Sequence, residues 1–487
     1  MAVIQWGVPL ALLAWFLWKA RTNRLFLLGI PVLMVMRGSV FFQLMRPFWA
    51  PGRFDTDLHL MAWLTLVWAI IVFGRRRSAE GGGLRPFGAG RLLPEEIPLL
   101  FVAALMGVHI LGVFATTGDL VQAVTAASGT IYLLVGYLFV RGIASRSTRA
   151  ETLQFLVAVV VANTVAATMY VLHQGLHLPI YIGSEYYTTQ FAGQEITRSF
   201  TFMPQFSLLA LAFVLARREW NLKWLAVLGI TLLAIMVSYT RALLIAAVVG
   251  IVVAVVAREF SKPDAGRFLR RMLAIVSSVV VVVLGLRIVR PVEFAYLVGR
   301  FNEFATANGA SDIGNWQIRW RQFDAVYDFV AKNDAFLGLG YPEAGSNPID
   351  AYLYRWSSDS TWVPIVYAFG LLGLALFGAL LFGFAVRSLH LSLGPPEERR
   401  YLGLMFFTFI VLTVVMSFTR WTFTEPRLAA MGLWLLAFQA AEALRSDVAA
   451  VGELRATDLG NPRGVAGPPL VAAAGDDVVP ARERGSR

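Results

Sequence analysis

Cysteine is absent from all 487 residues, so disulfides, thiolate nucleophiles and cysteine-ligated metals are excluded at the outset. Histidine is scarce as well, with five in the chain, and only the pair in His173-Gln-Gly-Leu-His177 has a helical ligand spacing. That pair brackets a glycine and lacks the glutamate of a zinc-protease helix, so neither a metal site nor a metal cofactor is expected. Charge is the third shortage. Charged residues make up 15% of the chain and hydrophobic ones 57%, with a mean hydropathy of +0.64. Soluble domains carry about 25% charge and about 45–50% apolar residues, so the expected class is an all-α polytopic membrane protein. Nucleotide loops are missing too. Gly338-Leu-Gly340-Tyr-Pro342 marks a tight turn, with no Lys-Ser/Thr behind it to open a phosphate-binding helix.

What the chain does have is apolar runs. They fall at 2–18, 25–42, 57–74, 96–116, 119–141, 151–173, 199–216, 222–239, 242–257, 272–287, 361–386, 401–418 and 427–443, which predicts 12–13 transmembrane helices. Several are shorter than the roughly 20 residues an upright span wants, which implies tilt or irregular backbone inside the bundle. The first run has no basic residues before it and is followed by Lys19, Arg21 and Arg24, so it reads as a retained span rather than a cleaved signal.

The formal net charge of +11 is arranged as a topology signal. Alternate loops hold Lys19, Arg21 and Arg24, then Arg75–Arg77, Arg146 and Arg149, Arg217 and Arg218, Arg258 to Arg271, and Arg387 to Arg400, whereas the short loops between them hold few basic residues. The basic set is expected to face the cytoplasm, leaving the N-terminus outside and the C-terminus inside. Nucleic acid is not an expected partner, because no basic face is concentrated in one domain. The expected organisation is a membrane domain over 1–443, with one large outer loop at 288–360, and a disordered cytoplasmic tail over 444–487 rich in Ala, Gly and Pro. A second outer segment spans 174–198. The larger loop is too long to be structureless in a compact domain and is expected to fold.

Four residues carry the chemistry. Arg241 stands between the apolar runs 232–240 and 242–257, where a guanidinium is costly unless water or a partner meets it. Within the outer loop, Trp316, Trp320, Phe323, Tyr327 and Val330 share one helical face. Arg319 lies on the flank of that stripe and Arg321 opposite it, so Arg319 is the better candidate for an anion at the membrane surface. A packing helix with a boundary arginine is the plainer reading. Arg198, in Thr197-Arg-Ser199, closes the other outer segment, either as a snorkelling residue or as a third guanidinium for the same anion. Arginine suits phosphate oxygens because its planar fork is bidentate and permanently charged. Asp359, in Trp356-Ser-Ser-Asp-Ser-Thr-Trp362, is either a helix cap or a carboxylate able to take a proton from a hydroxyl. Asn163 and His109, inside apolar runs, read as bundle-interior polar contacts.

The order of these elements resembles the O-antigen ligase and polymerase superfamily of bacterial glycan assembly. The matching residues are Ser238-Tyr-Thr-Arg241, then Arg319 with Phe323 and Ala325, then Phe336-Leu-Gly-Leu-Gly340, and Asp359-Ser-Thr361 leading into Phe369-Gly-Leu-Leu-Gly373, with Arg198 and Pro204 ahead of them. The resemblance covers roughly residues 185–380. Ligases of that superfamily usually place a His-Asn or His-Ser pair about eleven residues before the first glycine of Gly-Leu-Leu-Gly. Here that position holds Asp359, which looks more like the polymerase branch.

The resemblance implies a metal-independent, inverting glycosyltransferase with a GT-C-like fold at the periplasmic face of the bacterial inner membrane. Its donor would be an undecaprenyl-pyrophosphate-linked glycan, and its acceptor a second glycan or a lipid. A chain-length regulator is compatible with such a system, and no cofactor is implied. Arg198, Arg241 and Arg319 would hold the pyrophosphate, with Asp359, Arg319 and Arg241 as the catalytic set. Transfer of a finished glycan to lipid A–core is the alternative within the family. A lipid-linked oligosaccharide flippase is the alternative from another class, although the paired, broken-helix halves it would need are not visible as an internal repeat.

Overall fold

The computed structural model describes residues 2–36, 64–71, 92–176, 178, 186–199, 202–217, 220–261, 265–306, 324–328, 331–332, 336–340, 361–418 and 434–447. In chain order its helices are α1 (Ala2–Lys19), α2 (Gly29–Met36), α3 (64–71), α4 (Ile97–Thr117), α5 (Leu120–Ala126), α6 (Ser128–Ala144), α7 (Arg149–Leu176), α8 (Phe202–Ala216), α9 (Leu222–Val237), α10 (Arg241–Ser261), α11 (Ala265–Val289), α12 (Pro291–Thr306), α13 (Trp362–Leu393), α14 (Glu397–Ser417) and α15 (434–447). Six of the described helices are long and apolar enough to cross a membrane, and five shorter apolar helices accompany them. This is a predominantly helical, multi-pass membrane protein. Where water is absent, the helix satisfies every backbone donor and acceptor within the segment, which is why runs of Leu, Val, Ala and Phe take this form. The chain divides into a unit of Met1–Leu444 and a second of Arg445–Arg487, of which only 445–447 are described.

Local chemistry sets the breaks. Gly118, at φ 69°, ends α4 by donating its N–H to the Phe114 carbonyl, and the Asp119 carboxylate accepts from Val121 N–H to start α5. The predicted single span at 119–141 is two helices, because Ser128-Gly129 falls at the junction and Ser/Gly pairs are common kink sites. α11 reaches Val289, and the expected outer loop opens with another helix, α12, whose first residue is Pro291. The outer segment 174–198 also differs from a helix-only reading. Tyr186–Phe191 (β1) and Gln194–Ser199 (β2) pair antiparallel. They are joined by Ala192-Gly193 at φ 50° and 75°, the left-handed turn that suits strand twist.

α8 lies at the centre, packed against α7, α9, α10 and α14. Every residue from Phe206 to Ala216 is buried, as expected of a helix that is apolar all round. α4 and α11 are the reverse, apolar helices that are mostly exposed, as expected of outer walls facing lipid. Close approach of α13 and α14 depends on Gly403, where a Cβ would overlap the backbone of Leu391 and Ser392.

One rim of the bundle is laced by basic side chains. Arg141 and Tyr137 both contact the buried Glu96, and Arg387 faces Glu95 at 3.6 Å. Arg149 pairs with Glu442 on α15, the Asn23 amide donates to the Glu151 carbonyl, and Arg258 donates to the carbonyls of Ala216 and Arg217 at 2.6 Å. Arg217 lies over the rings of Trp224, Phe213 and Tyr401. These are helix ends that the charge alternation assigned to one side, and their contacts join them into one rim.

Candidate functional site

The opposite ends of α9 and α10 meet at Ser238-Tyr-Thr-Arg241. Ser238 Oγ donates to the Ile235 carbonyl at 2.7 Å and accepts from Thr240 N–H at 3.3 Å, while Thr240 Oγ1 donates to the Ser238 carbonyl at 3.2 Å. The Thr240 carbonyl then accepts from Leu243 and Leu244 and starts α10. Short hydroxyl side chains offer the backbone these local partners, which is why Ser and Thr punctuate helices. Between them Tyr239 sits at φ 51°, left-handed backbone that a bulky residue adopts only when its surroundings enforce it.

Arg241 is the first residue of α10 and is 9% exposed. It is not isolated, since it makes at least one polar, ionic or ring contact within the chain. A cation at a helix N-terminus opposes the macrodipole by roughly 0.3–1 kcal/mol, and burial adds desolvation. Both costs turn into attraction when an anion arrives, because guanidinium and helix terminus then act in the same direction.

A chain of rings covers this turn. Tyr239 meets Tyr296 of α12 edge-on at 6.3 Å, and Tyr296 meets Phe191 of β1 at 5.3 Å. Tyr239 and Tyr296 are buried, at 3% and 6% exposure. One helical turn before Tyr296, Glu293 accepts from Arg290 at 3.0 Å, both side chains mostly buried. Burial pushes the Tyr239 phenol well above its ordinary range, Glu293 adds to the rise and Arg290 opposes it. The Tyr239 ring is packed edge-on against that of Tyr296. Arg198 pairs in register with Tyr187 on β2, at a position of the same hairpin face as Ile196 and Phe191. The hairpin that bears Arg198 and the turn that bears Arg241 are thus linked through Tyr296, whose ring meets Phe191 of β1 and Tyr239.

A second constellation joins the two glycine motifs. At about 1.5 Å per residue, the 32 residues of α13 would make a rod of roughly 48 Å. It breaks at Gly370, whose φ 63° and ψ −160° only glycine tolerates. The break frees carbonyls that the helix would otherwise use. Leu339 N–H donates to the Tyr367 carbonyl at 2.9 Å, Gly340 N–H to Ala368 at 3.1 Å, and Leu372 N–H returns to Phe336 at 3.3 Å. Phe336-Leu-Gly-Leu-Gly340 therefore replaces the missing rungs of the helix. Gly338 lies so close that a Cβ would overlap the Ala368 carbonyl. His109 of α4 donates from Nε2 to the Leu337 carbonyl at 3.0 Å, and its ring lies 5.9 Å from Phe369. Non-helical backbone some 12 Å down a membrane helix needs such protein partners.

Among the predicted site residues, Arg241 is described in full and Arg198 in its backbone, whereas Arg319 and Asp359 lie outside the described residues. The N-cap position of α13 is Thr361, whose N–H donates to the Ser417 carbonyl at 2.8 Å. Of the predicted aromatic stripe, only Tyr327 falls among the described residues. It is half exposed on a helical turn at 324–328, beside a buried Val326. His109 does find a contact within the chain, as expected, whereas both amide atoms of the buried Asn163 have no hydrogen-bond partner among the described residues. Tyr239, Tyr296, Phe191, Arg290 and Glu293 were not singled out as site residues by sequence reasoning. The aromatic and β-branched run Tyr-Tyr-Thr-Thr-Gln-Phe of β1, followed by Ala-Gly, was the available signal for the hairpin. No protein-family model matches the chain, and no curated protein matches it.

Proposed function

We propose that this protein is a membrane glycosyltransferase that polymerises lipid-linked oligosaccharide repeat units at the outer face of the bacterial inner membrane. The observation that carries the reading is Arg241, a buried guanidinium set at the N-terminus of α10 on the rim opposite the basic one. Two sources of positive potential coincide there, which suits the diphosphate of an undecaprenyl-pyrophosphate-linked donor without a divalent cation. Arg198 and Arg319 complete the proposed cradle. Asp359 takes the proton of the acceptor hydroxyl as it attacks the anomeric carbon in line, the C–O bond to the diphosphate breaks, and the configuration inverts. The resemblance of the two glycine motifs supports the same reading. Here they are hydrogen-bonded to each other, and the segment that bears Asp359 connects them.

The test is product length in a deletion strain complemented with variants. Arg241→Ala is expected to abolish the ladder of repeat lengths while the protein remains in the membrane. Arg241→Lys is expected to restore little, because an ammonium lacks the bidentate fork. Asp359→Asn is expected to lose the ladder as well. Wild-type ladders from the arginine variants would remove Arg241 from the mechanism. Finished polymer accumulating on the carrier in the deletion strain would favour ligation over polymerisation.

A further inference from the structure

Tyr239 is strained without an evident reason in the turn itself. Ser238 and Thr240 already satisfy one another's backbone, and a glycine or asparagine would take φ 51° at lower cost. A tyrosine persists there with its ring buried against Tyr296, which in turn holds Phe191 at the end of β1. Three separate elements, the β1–β2 hairpin, α12 and the α9–α10 turn, are therefore fastened through one line of rings. Arg241 is two residues from the strained position and opens a rigid helix, so any rotation of Tyr239 is passed directly to its Cα. Arg290, the residue just before α12, pairs with Glu293 in the first turn of that helix, one turn before Tyr296.

We propose that Tyr239 is a positioning residue for Arg241, and that the ring line Phe191–Tyr296–Tyr239 couples the outer hairpin and α12 to the anion-binding competence of the α10 N-terminus. The proposal rests on the reading of Arg241 as a diphosphate ligand. It goes further by assigning the hairpin and α12 a role in setting that ligand's affinity. Among variants of the ring line, those that keep the aromatic faces preserve binding, and those that remove them weaken it even with the chain folded.

The experiment uses the full-length protein in detergent, with inorganic pyrophosphate as the probe and thermal stabilisation as the readout. The folded fraction is measured separately by size-exclusion chromatography. Wild type is expected to melt higher with pyrophosphate, and Arg241→Gln to lose the shift. Tyr296→Ala, which leaves the turn untouched, is expected to weaken apparent pyrophosphate affinity about tenfold, and Tyr296→Phe to restore it. Tyr239→Phe should bind as wild type does. Tyr239→Asn keeps a residue suited to left-handed backbone but removes the ring, and should bind as weakly as Tyr296→Ala. Undiminished affinity in folded Tyr296→Ala overturns the coupling while leaving the Arg241 reading intact. No shift in wild type, or an unaltered shift in Arg241→Gln, overturns that reading and the coupling with it. Should Tyr239→Asn fail to fold, the Tyr296 pair decides alone.

Discussion

At the scale of single residues, the two strained positions differ in kind. Gly370 holds a conformation no side chain favours, and its break is completed by backbone donors from 336–340. Gly370→Ala is expected to cost about 1–3 kcal/mol, read as a lower melting temperature in detergent. Gly338→Ala should cost at least as much, since its new methyl would meet the Ala368 carbonyl and the Gly370 N–H, which cannot move aside as a side chain does. Unchanged melting of both variants would mean that the segment 336–340 is not seated on α13 as described. Residue-level legibility was uneven for a physical reason. Arg241 was legible because a charge between two greasy runs violates composition locally. Tyr239 was not, because its peculiarity lies in a dihedral angle and in a ring contact with residue 296, neither of which leaves a mark in local composition. His109 was legible as a polar contact but not its partner, a carbonyl 228 positions away in sequence.

At the scale of elements, helices were the easy part and their interruptions the hard part. Apolar runs located the cores of α4, α7, α10 and α14, since membrane helices are written in composition. The reading joined α5 to α6 and overlooked the hairpin, because a Ser-Gly kink and a six-residue strand leave only short signals. Packing of elements gives a further test at the basic rim. Glu96 is buried on α4's doorstep and accepts from both Tyr137 and Arg141 of α6. Removing one partner of such a pair strands the other charge and costs about 3–5 kcal/mol. Replacing both by apolar residues of similar volume is often close to neutral. Glu96→Leu or Arg141→Met alone should therefore cut the yield of folded protein sharply, and the double variant should recover most of it. Equal loss in single and double variants would show that the charges matter to the fold through something other than each other.

At the scale of the whole molecule, the proposed function depends on sidedness, because a diphosphate cradle is useful to glycan assembly only where the lipid-linked donor is presented. The contacts gather the predicted basic loops on one rim: Arg149 with Glu442, Arg258 with the end of α8, Arg217 among Trp224 and Tyr401. Ser238 to Arg241 stands at the other ends of the same helices, α9 and α10. Positive residues are retained on the cytoplasmic side during insertion, so the bias assigns the rims without reference to function. The missing cysteines make this directly measurable, since the natural chain is already free of background thiols. Gln194→Cys, exposed at the hairpin turn, is expected to react with a membrane-impermeant maleimide in intact spheroplasts. Lys223→Cys, exposed at the start of α9, should react only after the membrane is opened. Neither residue belongs to the proposed cradle, so both variants should keep wild-type product ladders, and the labels report topology alone. The reverse labelling pattern would place Arg241 on the cytoplasmic side, away from the proposed periplasmic reaction, and polymerisation at the outer face would then be untenable whatever the arginine binds.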